Sequence, residues 1–289
     1  MKTVVTHSGP FQADDVFSIA VLTLIDPSIT VIRSRDPEVL KKADLRVDVG
    51  LRYDPDTGDF DHHQKEGCDI RENDIPYSSA GLIWRHFGMR LVDTKEEWEK
   101  IDNKIVQFID ADDNGIKTYE SERVSTYTLP KIVKSFSPCW DDPHPDFDKG
   151  FFKVVEVVRT ILKNEIKKAK GFSKAKKIVE AAIKNSGKDI IVLDQFCPWK
   201  STVIELTQAK FVVFPSSGGD WVVQSVPLEE SGFESREKLP EKCGGLTAEQ
   251  LQNVTGIKGL TFCHKGCWIA GAKTKESAIK LAELALNKR

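Results

Sequence analysis

The chain has 289 residues, 40% hydrophobic and 30% charged, and its 42 Lys and Arg nearly balance 44 Asp and Glu for a net charge of -2. That length accommodates one large core or two ordinary domains. The near-neutral balance excludes a general electrostatic case for binding nucleic acid or an anionic membrane, although it leaves room for a local basic groove.

The first half alternates short apolar runs with helical patterns. Thr3 to His7 reads as a strand, and not as a secretion signal or an Arg-rich transit helix. Ala13 to Ile25 carries apolar residues at helical spacing, Ser28 to Ser34 alternates as a strand, Pro37 to Lys42 suits a short helix, and Leu45 to Val49 is a further strand. Strands alternating with helices predict an α/β domain with a mostly parallel sheet, whose ligands gather beyond the strand ends. Ser78-Ser79-Ala80-Gly81 opens a helix through Trp84 to Gly88, with a start suited to presenting backbone N–H groups to an anion. Glu96 to Ile109 reads as another helix, running into Asp110-Ala111-Asp112-Asp113-Asn114-Gly115. Residues 137–150, with three prolines, read as a loop, and Phe151 to Asn185 as one or two long amphipathic helices with a Lys-rich face.

After Gly187 the pattern changes. Ile190 to Leu193, Phe211 to Pro215, Trp221 to Val226 and Gly259 to Cys263 read as strands, and Lys275 to Asn287 as a closing helix. The expected division is therefore 1–187, an α/β domain, and 188–289, a smaller α+β domain. No apolar run approaches the roughly 20 residues of a membrane span. Six cysteines without a C-x-x-C pair predict reduced thiols in an intracellular protein. Cys263 and Cys267 flank His264 but lack a fourth zinc ligand, so core thiols are expected. The tryptophans are likewise expected in the core.

The chemistry concentrates at the strand ends. His7 follows the first strand, Asp48 closes the third, and Asp61-His62-His63 lies just beyond. Carboxylates and imidazoles in this number form the ligand set of a pair of divalent ions, which activate water and neutralise charge on a phosphoryl oxygen. Asp48 is the expected bridge, with His62, Asp14 and Asp113 on one ion and His7 on the other. Asp61 is expected to orient His62 by accepting its second N–H, leaving His63 to face substrate. These two form the expected catalytic pair.

These residues resemble the DHH phosphoesterase superfamily, in His7 to Asp15, Val47-Asp48-Val49-Gly50 and Asp61-His62-His63-Gln64. More narrowly, Thr6-His7-Ser8-Gly9, Arg33-Ser34-Arg35-Asp36-Pro37, Phe60-Asp61-His62-His63-Gln64, Ser78-Ser79-Ala80-Gly81-Leu82, Asp113-Asn114-Gly115, Cys197-Pro198-Trp199-Lys200 and Leu239-Pro240-Glu241 resemble the MYG family of metal-dependent hydrolases. The resemblance spans nearly the whole chain. It implies a DHH-type catalytic domain with a substrate-binding domain, two Mn²⁺ or Mg²⁺ ions, and 3′–5′ exonuclease action on RNA or short oligonucleotide ends. It also implies nuclear and mitochondrial roles in animals. It places His7, Asp14, Asp48, His62 and Asp113 at metal positions, with Asp110 the competitor of Asp113, and His63 at the substrate.

One position departs from the family pattern. Gln12 stands where a second histidine is common, and a neutral amide oxygen binds a divalent ion more weakly. Two alternatives follow: a small-molecule phosphoesterase or pyrophosphatase, and a binding protein whose catalysis has been weakened. Thr261-Phe262-Cys263-His264-Lys265-Gly266, with Gly271, resembles the glycine-rich, histidine-bearing segment that grips substrate phosphate in superfamily members, which makes His264 and Lys265 substrate contacts. Arg33 is the expected phosphate-contacting cation, with Arg35 and Arg236 as further candidates. No membrane partner is expected, and the oligomeric state stays open, a homodimer included.

Overall fold

The computed structural model describes residues 2–65, 67–118, 124–230, 232 and 234–287. The chain forms two compact units, Met1–Lys170 and Gly171–Arg289. Both are α/β, each built around a five-stranded sheet.

The first unit runs β1 (Thr3–Thr6), α1 (Ala13–Ile25), β2 (Thr30–Arg33), α2 (Pro37–Leu40), β3 (Leu45–Val47), β4 (Tyr53–Asp54), β5 (Asp59–Phe60), α3 (Ser79–Phe87), α4 (Lys95–Ile101), α5 (Gln107–Asp113), α6 (Leu129–Lys134) and α7 (Phe147–Asn185), whose residues from 171 on belong to the second unit. The sheet order is β2-β1-β3-β5-β4. β1 pairs in parallel with β2 and β3, and β3 with β5; β4 alone is antiparallel. The sheet is thus mostly parallel, as the alternating pattern predicts. The chain leaves β1 to build β2 on one side and then β3 on the other, so β1 is a switch point where strand ends open a crevice.

The core grows from α1. Val16, Phe17, Ile19, Ala20 and Val21 are buried, and Leu82, Ile83 and Trp84 of α3 join the same cluster. Burial of this helix, about 1.5–3 kcal/mol per large apolar side chain, is joined at its start by Asp15, whose Oδ1 accepts from Gln12 N at 2.9 Å. α4 and α5 are joined by a π-helical turn, Asp102–Val106, within the stretch expected as one helix. α7 begins at Phe147, not Phe151: Asp146 Oδ1 accepts from Lys149 N at 2.9 Å, a side-chain cap that lets the helix start inside the expected loop. It is a single helix of 39 residues.

The second unit contains β6 (Ile190–Val192), α8 (Lys200–Leu206), β7 (Phe211–Pro215), β8 (Trp221–Ser225), α9 (Ala248–Thr255), β9 (Leu260–Cys263), β10 (Ile269–Ala272) and α10 (Lys275–Leu286). Its order is β6-β7-β8-β10-β9, with β6 and β7 parallel and the remaining pairs antiparallel. Phe211, Val213 and Val223 pack with Leu281 and Ala282 of α10, whereas Val212 and Phe214 pack with Val203 of α8. Cys197, Cys243, Cys263 and Cys267 are buried free thiols, Cys68 is half-buried and Cys139 is exposed. Trp199 is buried, but Trp140 is 94% exposed, against the expectation of core tryptophans. Among the described residues no helix is long and apolar enough to cross a membrane.

Candidate metal centre

The parallel strands deliver the site. His7 follows β1, Asp48 follows β3, His62 and His63 follow β5, Asp14 and Asp15 lie in the first turn of α1, and Asp113 ends α5. Asp48 sits at φ 55, a left-handed backbone uncommon for a residue with a Cβ. Such strain persists only where the surroundings over-determine it, and it collects at functional sites.

Asp48 is shared between two imidazoles. Its Oδ2 lies 3.2 Å from His7 Nε2, and its Oδ1 lies 3.4 Å from His62 Nε2. His62 Nε2 is also 3.2 Å from Asp113 Oδ2 and 3.7 Å from Asp14 Oδ2. His7 Nε2 is 3.2 Å from Asp15 Oδ2, a residue absent from the ligand set expected from the sequence. Its signal was its position, adjacent to Asp14 and one helical turn from Gln12. Ser79 Oγ donates to Asp14 Oδ2 at 2.8 Å and holds it in place.

Two ligand groups result. Asp48, His62 and His63 offer atoms within 4.8 Å of one another, as do Asp14, His62 and Asp113. Asp14 Oδ1, Asp15 Oδ2, Asp48 Oδ1 and His62 Nε2 are buried without an aligned hydrogen-bond partner. Buried polar atoms without such partners are costly in an apolar interior. A divalent ion would satisfy them, and the oxygen and imidazole donors are compatible with one. The residues therefore fit the metal pair.

The electrostatics agree. Burial alone would discharge His7, yet the carboxylates of Asp15 and Asp48 outweigh it and raise its pKa to about 9. Burial also works against the charged ring of His62, and Asp48 and Asp113 overcome it, so its pKa rises. Burial raises Asp14, and the neighbouring Asp48, Asp113 and Asp15 raise it further. Burial, with His62 opposing and Asp48 adding, pushes Asp113 up to about 6. Burial opposes ionisation of Asp48, but His62 and His7 hold it below the usual carboxylate range.

Asp61 departs from its expected role. Its Oδ1 accepts from His63 N at 3.1 Å and lies 2.8 Å from His63 Nδ1, so it orients His63 and not His62. The reason is local: an aspartate bonded to the backbone N–H two residues on turns that residue's ring toward itself. Asp61 Oδ2 also accepts from Leu51 N at 2.7 Å. His63 is 52% exposed at its side chain. It lines a cavity of about 450 Å³ together with His7, Gln12, Arg35, Asp48 and Leu51. Gln12 Nε2 donates to Asp113 Oδ1 at 3.4 Å.

The start of α3 meets an anion, but one belonging to the protein. Asp110 Oδ1 accepts from Ser78 N, Ser78 Oγ and Gly81 N at 3.1, 2.7 and 3.0 Å. Arg71, which also pairs bidentately with Asp102, donates to its Oδ2. A Cβ on Gly81 would meet Asp110 Oδ2 at 2.2 Å, so this approach requires glycine. Asp110 is thereby engaged, and Asp113 is the carboxylate beside His62.

Arg33 does not reach the cavity. Its side chain is 1% exposed; it donates to Asp148 Oδ1 at 2.6 Å and Gly9 O at 2.7 Å and lies over Phe151, which makes it a structural cation. Arg236 donates to the carbonyl of Ile204 in α8 and to those of Thr207 and Ala209 just beyond it. Arg35 is exposed and lines the cavity. In the second unit, His264 and Lys265 are exposed in the β9–β10 turn, where Gly266 N donates to His264 Nδ1 at 3.0 Å.

A family model labelled MYG1_exonuc and described as "Uncharacterised protein family (UPF0160)" matches residues 3–286. The chain is 33% identical to the MYG1 protein YER156C of Saccharomyces cerevisiae, over 99% of this chain and 96% of that protein. It is 32% identical to a MYG1 protein of Dictyostelium discoideum, over 99% of this chain and 96% of that one. Identity to a Homo sapiens protein named MYG1 exonuclease is 32%, over 98% of this chain and 85% of the human one.

Proposed function

This chain belongs to the MYG1_exonuc family (UPF0160), and from that premise we propose that it is a metal-dependent phosphoesterase acting as a 3′–5′ exonuclease on RNA or short oligonucleotide ends. The name of the human relative, MYG1 exonuclease, supports a nuclease. The observation that carries the reading is the set of buried, unpartnered carboxylate and imidazole atoms converging at the ends of β1, β3 and β5.

In this reading His7, Asp14, Asp15, Asp48, His62 and Asp113 hold two divalent ions, with Asp48 shared. Bound there, Mn²⁺ or Mg²⁺ supplies an activated water and neutralises charge developing at phosphorus. The remaining work belongs to side chains. His63, held by Asp61, presents its free nitrogen to the cavity and delivers a proton to the leaving oxygen. Arg35 contacts a non-bridging phosphate oxygen in the role expected of Arg33. The His264-Lys265-Gly266 turn of the second unit, taken as the substrate-binding domain, grips a further phosphate.

The test compares a 5′-labelled RNA oligomer, a dinucleotide and pyrophosphate in Mn²⁺. The oligomer should shorten from its 3′ end and the dinucleotide be cleaved, with pyrophosphate untouched. Asp48→Asn should lower activity by on the order of 100-fold or more. Turnover of pyrophosphate alone would replace this reading with a small-molecule phosphoesterase. Absence of turnover on all three would leave a binding protein.

A further inference from the structure

The second unit contains a pocket that the metal chemistry does not use. It has a volume of about 240 Å³ and is lined by Lys200, Gln224, Ser225, Pro227, Glu230 and Trp268 among others. Trp268 is 38% exposed. The His264 ring covers part of it, with centroids 5.1 Å apart, and Gly266 N fixes that ring through Nδ1. The polar groups around this indole are uncommitted. Among the described residues, none engages the side chains of Lys200 or Gln224.

An indole floor, an amide that both donates and accepts, and one cation, with Glu230 the one carboxylate in the lining, form a combination suited to one ligand chemistry. Apolar pockets with a few convergent polar groups select small molecules. A flat heteroaromatic ring with hydrogen-bonding edges stacks on tryptophan, and a phosphate attached to it finds the lysine. We propose that this pocket binds a single nucleobase stacked on Trp268, with Gln224 reading its edge and Lys200 contacting its phosphate. The choice of a nucleobase over other flat rings rests on the proposed nuclease function.

The experiment uses the full chain in EDTA, so that neither metal loading nor hydrolysis enters the readout. Tryptophan fluorescence is titrated with adenosine 5′-monophosphate and with ribose 5-phosphate, which carries the same phosphate and no base. The nucleotide should bind about tenfold or more tightly than the sugar phosphate, the contribution of one stacked base. Trp268→Ala should bring the two within about twofold, Trp268→Phe should retain most of the difference, and Lys200→Ala should weaken both alike. Equal binding of the two ligands by the wild-type protein, or saturation by neither, overturns the proposal, as does a preference that survives Trp268→Ala. Failure here leaves hydrolysis in Mn²⁺ intact, whereas failure of the nuclease reading leaves this metal-free preference in place.

Discussion

Asp110 and Asp113 stand three residues apart and carry different burdens. Asp110 closes a buried network with Arg71, Ser78 and Gly81, whereas Asp113 faces His62. Asp110→Ala leaves the Arg71 charge short of a buried partner and should destabilise the protein by about 3–5 kcal/mol, seen as a lower denaturation midpoint. Asp113→Ala should cost little stability and weaken Mn²⁺ binding in calorimetry. In the sequence Asp113 already stands ahead of Asp110 as the ligand, and Arg71, 39 positions before Asp110, accounts for what Asp110 does instead. Gln12 was legible as a departure from pattern, and Gln12→His should tighten Mn²⁺ binding about tenfold. Titration supplies a further prediction. His7 is raised from 6.5 to about 9, so its contribution to metal-free stability is complete below pH 6.5 and is lost as pH rises to about 9. Asp113 is raised from 3.8 to about 6, and its contribution is lost between those values. Thermal melts in EDTA should therefore fall in midpoint from pH 6.5 to 9, while excess Mn²⁺, which displaces those protons, should flatten or reverse the trend. A metal-free midpoint that rises through that window would show that His7 is not held as a cation.

Elements with strong periodicity were readable, and those whose pattern depends on a partner were not. α1 is apolar along its length and was placed to the residue, Ala13–Ile25. β10, Ile-Ala-Gly-Ala, has little strand propensity of its own. It forms because β9 and β8 flank it, and a Cβ on Gly271 would meet Thr261 Oγ1 at 2.4 Å. β4 and β5 are two residues each, too short for alternation to register. α8 and α9, of seven and eight residues, had too few turns to display a stripe. The sharpest element-scale test lies at the start of α3. Gly81→Ala drives a methyl into Asp110 and Tyr77 and should cost about 1–3 kcal/mol, read in urea unfolding. An unchanged midpoint would mean that α3 is not docked on Asp110.

At the scale of the molecule, the alternation of strands and helices was enough to place the chemistry at the ends of parallel strands, and β1 is the switch point that opens the crevice there. Which carboxylate oxygen meets which ring was beyond the sequence, because it depends on the left-handed backbone at Asp48 and on the turn that sends Asp61 to His63. The central claim is that this crevice holds two divalent ions, and anomalous scattering from crystals soaked in Mn²⁺ tests it most directly. Two peaks about 3.5–4 Å apart, one beside His7 and Asp48 and the other beside Asp14, His62 and Asp113, are the predicted result. A crevice without anomalous density under saturating Mn²⁺, or density confined to sites elsewhere on the chain, would contradict it.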